Sequence, residues 1–320
     1  MNNFRRFKPY FTWLFRIIGT GLFLWLILRS ADLQNVLKQF SRITIFEFGI
    51  LFFIFLVIQV LSAYRWKILL HAGGIVEKTL DLYLTVLYGQ TINQILPSSI
   101  GGDSARVAYL FKEHPGKRTE TLSATLIDRF LGFLVLFLIV LLVLPFFDFL
   151  SISIRLVVSG LLGAFLIAVM LVYYGVLDSL VAKILGSRLL PRAISNHVKK
   201  FWEVFLIYRS DKRQVIIALL LSLTAQIMTI LSHYLTFYLL DIQVSLVSLF
   251  IVFPVTFLVV ALPISIGGIG VREASLTTML GISSSEVLSF TMIVYAYFIL
   301  LPILLLLISI IRGISVNRIE

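Results

Sequence analysis

The chain contains no cysteine, and its only histidines are His71, His114, His197 and His233. The first absence excludes disulfide frameworks, thiolate nucleophiles and cysteine-ligated metals. It also leaves the redox compartment unreadable. The histidines never fall at the H-x-x-x-H spacing that puts two imidazoles on one helical face over a metal. Charge is scarce too: Asp, Glu, Lys and Arg make up 13% of the 320 residues, against 59% hydrophobic residues. No water-soluble domain carries that much apolar surface, so the composition predicts an all-α, polytopic membrane helical bundle. Walker loops, G-x-S-x-G elbows, D-x-D pairs and a soluble catalytic module are missing as well. Neither an enzymatic activity nor a cofactor is therefore expected.

What the chain does have is apolar length. A bilayer crossing needs about 20 apolar residues, and six runs meet that, at roughly 11–28, 45–64, 122–147, 152–174, 214–240 and 287–311. Arg5, Arg6 and Lys8 precede the first run as in a secretion signal. No small-residue cleavage pattern follows and Arg29 closes the run, so a retained span is expected. Two shorter runs, 81–97 and 245–264, each end in Leu-Pro and are expected to form broken or re-entrant hairpins. Amphipathic stretches at 31–40 and 194–208 lie outside the spans, the second suited to a cytoplasmic interface.

Net charge is +11, but the basic residues gather on no single module, which argues against nucleic-acid binding. They do set an orientation. With the N-terminus inside and both short runs returning to the side they entered, 21 of the 27 basic residues are cytoplasmic. Arg29, Lys38, Arg42 and Arg155 are then outside, with Arg129 and Arg272 at membrane depth. The alternative lets both short runs cross, giving eight spans. It also keeps both termini inside but strands Lys112, Lys117, Arg118 and the basic 183–213 loop unfavourably. The expectation is one multi-pass domain over 1–320 in the cytoplasmic membrane, built of two pseudo-repeats of roughly 1–150 and 151–320.

The repeat is visible as a motif. Leu96-Pro97-Ser98-Ser99-Ile100-Gly101-Gly102-Asp103-Ser104-Ala105-Arg106 recurs as Leu262-Pro263-Ile264-Ser265-Ile266-Gly267-Gly268-Ile269-Gly270-Val271-Arg272. Interrupted helices at matching positions of two halves point to a transporter-like site at an inverted-repeat interface. Pro97 and Pro263 lack an amide donor and stop a helix. Gly101, Gly102, Gly267 and Gly268 admit unusual backbone angles and close approach. Asp103-Ser104 is expected to cap the next helix, leaving its first amides open to an anion. Arg106 and Arg272, one turn further on, can clamp a phosphate or carboxylate, with Glu273 beside the second. Asn93, Ser98, Ser265 and Arg129 complete the expected substrate-binding set. A packing role for the paired glycines is the simpler alternative, and recurrence at one spacing weighs against it. Arg65-Trp66 is expected to close the second span as an interface anchor.

Four elements together resemble one family: Leu-Pro-x-x-x-Gly-Gly-Asp-x-x-Arg at 96–106, Leu-Pro-x-Ser-x-Gly-Gly-x-Gly-x-Arg-Glu at 262–273, Tyr64-Arg65-Trp66 and Asp128-Arg129. It is the lysylphosphatidylglycerol synthase transmembrane-region family, and the resemblance covers essentially the whole chain. Longer members are similar in this region, which implies a lipid flippase, and add a cytosolic domain that transfers an aminoacyl group from tRNA to phosphatidylglycerol. Glu320 closely follows the last apolar run, so that transfer is not expected here. Short members are associated with other lipids, including hopanoid-type and polyprenyl-linked glycolipids. The resemblance thus implies translocation of a membrane lipid with an anionic headgroup and leaves the cargo open. Asp103 and Glu273 could carry protons, and passive scrambling fits equally. Two other readings stay open: a membrane-embedded transferase using Asp103 or Glu273 as base, and a non-transporting companion of a lipid-synthesis enzyme. A homo-oligomer is compatible with each.

The cysteine-free background allows a direct test of orientation. In intact cells, an impermeant maleimide should label Asn35→Cys and spare Lys117→Cys and Lys199→Cys until the membrane is opened. Labelling of Lys117→Cys from outside would select the eight-span arrangement.

Overall fold

A computed structural model describes residues 31–95, 101–146, 151–176, 208–261 and 268–311, together with isolated positions before and between them. Every regular element among the described residues is helical. In chain order they are α1 (Leu33–Phe40), α2 (Ile45–Ala72), α3 (Thr79–Ile95), α4 (Gly101–Glu113), α5 (Arg118–Val143) and α6 (Ile152–Tyr173). Then follow α7 (Lys212–Leu239), α8 (Leu246–Ala261), α9 (Val271–Leu280) and α10 (Ser284–Ile311). Five segments are long and apolar enough to cross a membrane: Ile45–Ala72, Pro115–Phe146, Arg155–Tyr173, Lys212–Leu239 and Ser284–Leu305. They match five of the six expected spans. The sixth, at 11–28, lies almost wholly outside the described residues, as does most of the amphipathic stretch at 194–208. The other amphipathic stretch is α1.

Helix ends follow from local sequence. Asp32 caps α1 by accepting from the Gln34 and Asn35 amides at 3.0 and 3.3 Å. Capping boxes start α2 and α10. Thr44 and Glu47 exchange side-chain-to-amide bonds of 2.8 and 3.2 Å. Ser283 and Glu286 do the same at 2.7 and 3.3 Å. Helix α7 ends on Asp241 at φ 61°, where Ile242 N–H returns to Phe237 C=O at 2.9 Å. The Asp241 carboxylate then pairs with Arg42 at 2.7 Å.

The chain divides into two compact units, the first drawing on Met1–Val60, Tyr83–Arg106 and Ile227–Glu320. Its core joins Ile230, Phe237, Leu249, Val252, Leu276, Val287 and Phe290, with Ile43, Leu246, Met279 and Ile282 packed on it. Phe237 and Phe290 stack with centroids 4.3 Å apart. Within this cluster the end of α7, the start of α8, the end of α9 and the start of α10 lie together, so α8–α9 returns to the place it left. Helix α1 is tied there too, since Asp32 N–H donates to Ser285 Oγ at 2.8 Å and Ser289 Oγ donates to Gln39 Oε1 at 2.7 Å.

The second unit comprises Leu61–Leu82 and Val107–Gln226. Here the end of α2 meets the segments flanking α3 and α5. Lys117 Nζ donates to Gly74 C=O at 2.7 Å, and His114 Nε2 to Glu77 Oε1 at 2.8 Å. The chain between Glu77 and His114 therefore leaves and rejoins one neighbourhood. Tyr208 O–H, donating to Leu69 C=O at 2.7 Å, fastens the approach to α7.

Two expectations about boundaries change. Helix α2 runs past Arg65-Trp66 to Ala72, because Trp66 is fully buried and the Arg65 charge is answered inside the protein. Helix α4 begins at Gly101, which puts Asp103 inside its first turn and not at its cap.

Three glycines supply a packing prediction. A Cβ on Gly102 would collide with Gly89 C=O, whereas one on Gly49 or Gly160 would meet nothing within 4 Å. Gly102→Ala should destabilise the purified protein by about 1–3 kcal/mol. Gly49→Ala and Gly160→Ala, both inside helices, should be neutral or stabilising. Thermal unfolding in detergent, followed by circular dichroism, checks the contrast.

Candidate functional site

Each motif copy is built on a turn-back between two helices, and the two copies use their glycines differently. In the first, α3 and α4 meet backbone to backbone where Gly89 faces Gly102. Asn93 Oδ1 accepts the Gly102 amide at 2.6 Å. A neighbouring helix thus supplies the cap that Asp103-Ser104 was expected to give, and this amide is not open to an anion. Asp103 is buried, and its Oδ1 accepts from Arg106 Nη1 at 3.3 Å. The Arg106 side chain is 11% exposed, with its methylenes against Gly89. Gln59, also buried, accepts from Gln90 at 3.2 Å. Pro97 and Ser98 lie outside the described residues.

In the second copy the backbone itself is unusual. Gly268 and Gly270 stand at φ 76° and 82°, a region that side chains disfavour. A Cβ on Gly268 would also strike Val260 of α8. Helix α9 then starts with Gly270 N–H donating to Glu273 Oε2 at 2.6 Å, so this amide too is taken. Glu273, 1% exposed, accepts a second bond at 2.6 Å from Tyr295 O–H of α10. The Arg272 guanidinium lies over the Tyr295 ring, 5.5 Å from its centroid. Ser265 is buried. Pro263 and Gly267 lie outside the described residues.

The second unit contains a polar centre that residue-by-residue reading of the sequence missed. Arg65 Nε donates to Asp128 Oδ1 at 2.6 Å, and its Nη1 donates to Ser222 Oγ at 2.9 Å, joining α2, α5 and α7. One turn of α5 earlier, Thr125 Oγ1 accepts from Trp66 Nε1 at 3.3 Å. Asp128 thus pairs with Arg65, and its neighbour Arg129 is half-buried on the same helix. Arg65 and Asp128 are 63 positions apart, so no local spacing could reveal the pair. The signal was a charge at membrane depth on each of two apolar helices, which demands a partner. Among the described residues, no three His, Asp or Glu side chains cluster as a metal site.

A family model described as the lysylphosphatidylglycerol synthase TM region matches residues 13–306. A UPF0104 membrane protein of Methanocaldococcus jannaschii is 27% identical, covering 80% of this chain and 81% of its own. Two UPF0104 membrane proteins of Methanothermobacter thermautotrophicus are 23% and 24% identical. They cover 83% and 77% of this chain, and 82% and 77% of their own. No solved structure matches.

Breaking the buried Arg65–Asp128 pair from one side should cost roughly 3–5 kcal/mol, because the charge left behind is uncompensated. Asp128→Leu and Arg65→Met should each lower the unfolding midpoint in detergent sharply. The double variant should recover most of the loss. Additive losses would show that the two charges do not act as a pair.

Proposed function

We propose a function from one premise: the chain belongs to the lysylphosphatidylglycerol synthase transmembrane-region family. On this reading it is a lipid flippase-like transporter of the cytoplasmic membrane, with both termini inside, and not an enzyme. It moves an anionic phospholipid or a lipid-phosphate-linked glycolipid through a polar cleft, while the acyl or prenyl tails stay in the bilayer. Leaving the tails in lipid avoids a transfer cost of about 0.8 kcal/mol per CH₂.

The observation that carries the reading is the placement of the repeated arginines. Arg106 and Arg272 each sit in the first two turns of a short, partly buried helix that follows a turn-back. A cation in such a place is held for a purpose other than solubility. On this reading the two motif copies are inverted in the membrane, as alternating access between inverted repeats requires. Because Gly102 N–H and Gly270 N–H have partners, side-chain cations and not open amides carry the headgroup recognition.

Proteoliposomes holding a fluorescent phosphatidylglycerol test the reading. The wild type should exchange the lipid between leaflets faster than protein-free vesicles, as read by dithionite quenching. Arg106→Ala and Arg272→Ala together should abolish the excess. Wild-type exchange equal to that of empty vesicles removes the function; full exchange by the double variant removes the assigned residues.

A further inference from the structure

The two copies of the motif treat their carboxylates differently, and the difference decides which arginine is open to a ligand. In the first copy Asp103 Oδ1 accepts from Arg106 Nη1 at 3.3 Å, so that cation already has a carboxylate beside it. In the second copy Glu273 is adjacent to Arg272 in sequence, yet both of its oxygens are engaged elsewhere. Oε2 holds the Gly270 amide and Oε1 holds the Tyr295 hydroxyl, both at 2.6 Å. Among the described residues Arg272 forms no ion pair, and its guanidinium rests on the Tyr295 ring.

A ring face holds a guanidinium with about 0.5–2 kcal/mol, less than a desolvated ion pair. It also leaves the in-plane N–H groups free to bind an oxyanion. A phosphate can engage Arg272 without displacing a carboxylate, whereas at Arg106 it must compete with Asp103. We propose that Tyr295 is a positioning residue. By keeping Glu273 on its hydroxyl and Arg272 on its ring, it holds the two apart and makes Arg272, not Arg106, the cation that receives a lipid phosphodiester. This rests on the reading of the site as one for anionic lipid, and sharpens it.

Binding, measured apart from transport, tests the assignment. The purified chain in detergent is titrated by native mass spectrometry with phosphatidylglycerol and with diacylglycerol of matching chains, and inorganic phosphate serves as competitor. The wild type should prefer phosphatidylglycerol. Arg272→Gln should weaken that lipid about tenfold, the scale of one lost charge-assisted contact, and Arg106→Gln much less. Tyr295→Phe keeps the ring but frees Glu273 to pair with Arg272, so it should weaken phosphatidylglycerol binding as well. Glu273→Gln in that background cannot neutralise Arg272 and should restore binding.

No recovery in the Tyr295→Phe/Glu273→Gln chain leaves Tyr295 a merely structural residue and overturns the proposal. So do equal losses at both arginines, no loss at Arg272→Gln, or a wild type with no preference for phosphatidylglycerol. Displacement of the lipid by millimolar phosphate would assign the site to the free anion and also overturn it. Intact, Arg272-dependent binding without exchange in proteoliposomes would remove the transport reading and leave this one standing.

Discussion

A guanidinium taken out of water costs several kcal/mol unless the protein answers it, and hydrocarbon supplies no answer of its own. The architecture of this chain is organised by that constraint. Arg65 is met by Asp128 and Ser222, Arg106 by Asp103, and Arg272 by the face of Tyr295. The Arg65 arrangement joins helices that are distant in sequence and turns an apolar bundle with no preferred register into a specific one. Lipid-facing leucines cannot do this, because neighbouring helices gain little from leaving a solvent as apolar as themselves.

The same constraint governs the backbone. Two turn-backs interrupt helices in the midst of apolar sequence, and at each a nearby side chain takes up one amide at the start of the returning helix. Asn93 serves Gly102 and Glu273 serves Gly270. Glycine enters for opposite reasons in the two places. At 102 it permits two helices to touch along their main chains, and at 268 and 270 it permits positive φ. One repeated Gly-Gly motif therefore hides two physical roles, of which the sequence distinguishes neither.

The proposed function rests on where charge is left over. A family membership that covers most of the chain and relatives described as membrane proteins narrow the field to membrane-embedded roles. Within that field, cations held at turn-backs with their carboxylates either engaged or diverted are suited to an anionic group that arrives and departs. A site whose charges were all locked in tight pairs would bind nothing. One whose charges were all open would not tolerate the bilayer. The contrast between Asp103–Arg106 and Glu273–Tyr295–Arg272 lies between these limits.

Apolar run length was enough to determine the helical class, five of the expected spans to within a few residues at most ends, and the helices of both short apolar runs. Hydrophobicity acts over consecutive residues and is therefore written locally. The motif likewise singled out Arg106 and Asp103, which lie early in α4, and Arg272 and Glu273, which lie early in α9. What only the tertiary structure decided is how each charge is balanced. Arg65 looked like an interfacial end because its partner lies on a helix 63 positions away. Asp103 looked like a cap because nothing nearby showed that Asn93 would take that role, and Tyr295 carried no mark at all. Pairing in an apolar medium depends on which side chains meet across helices, and that meeting is set by packing, which a linear pattern does not encode.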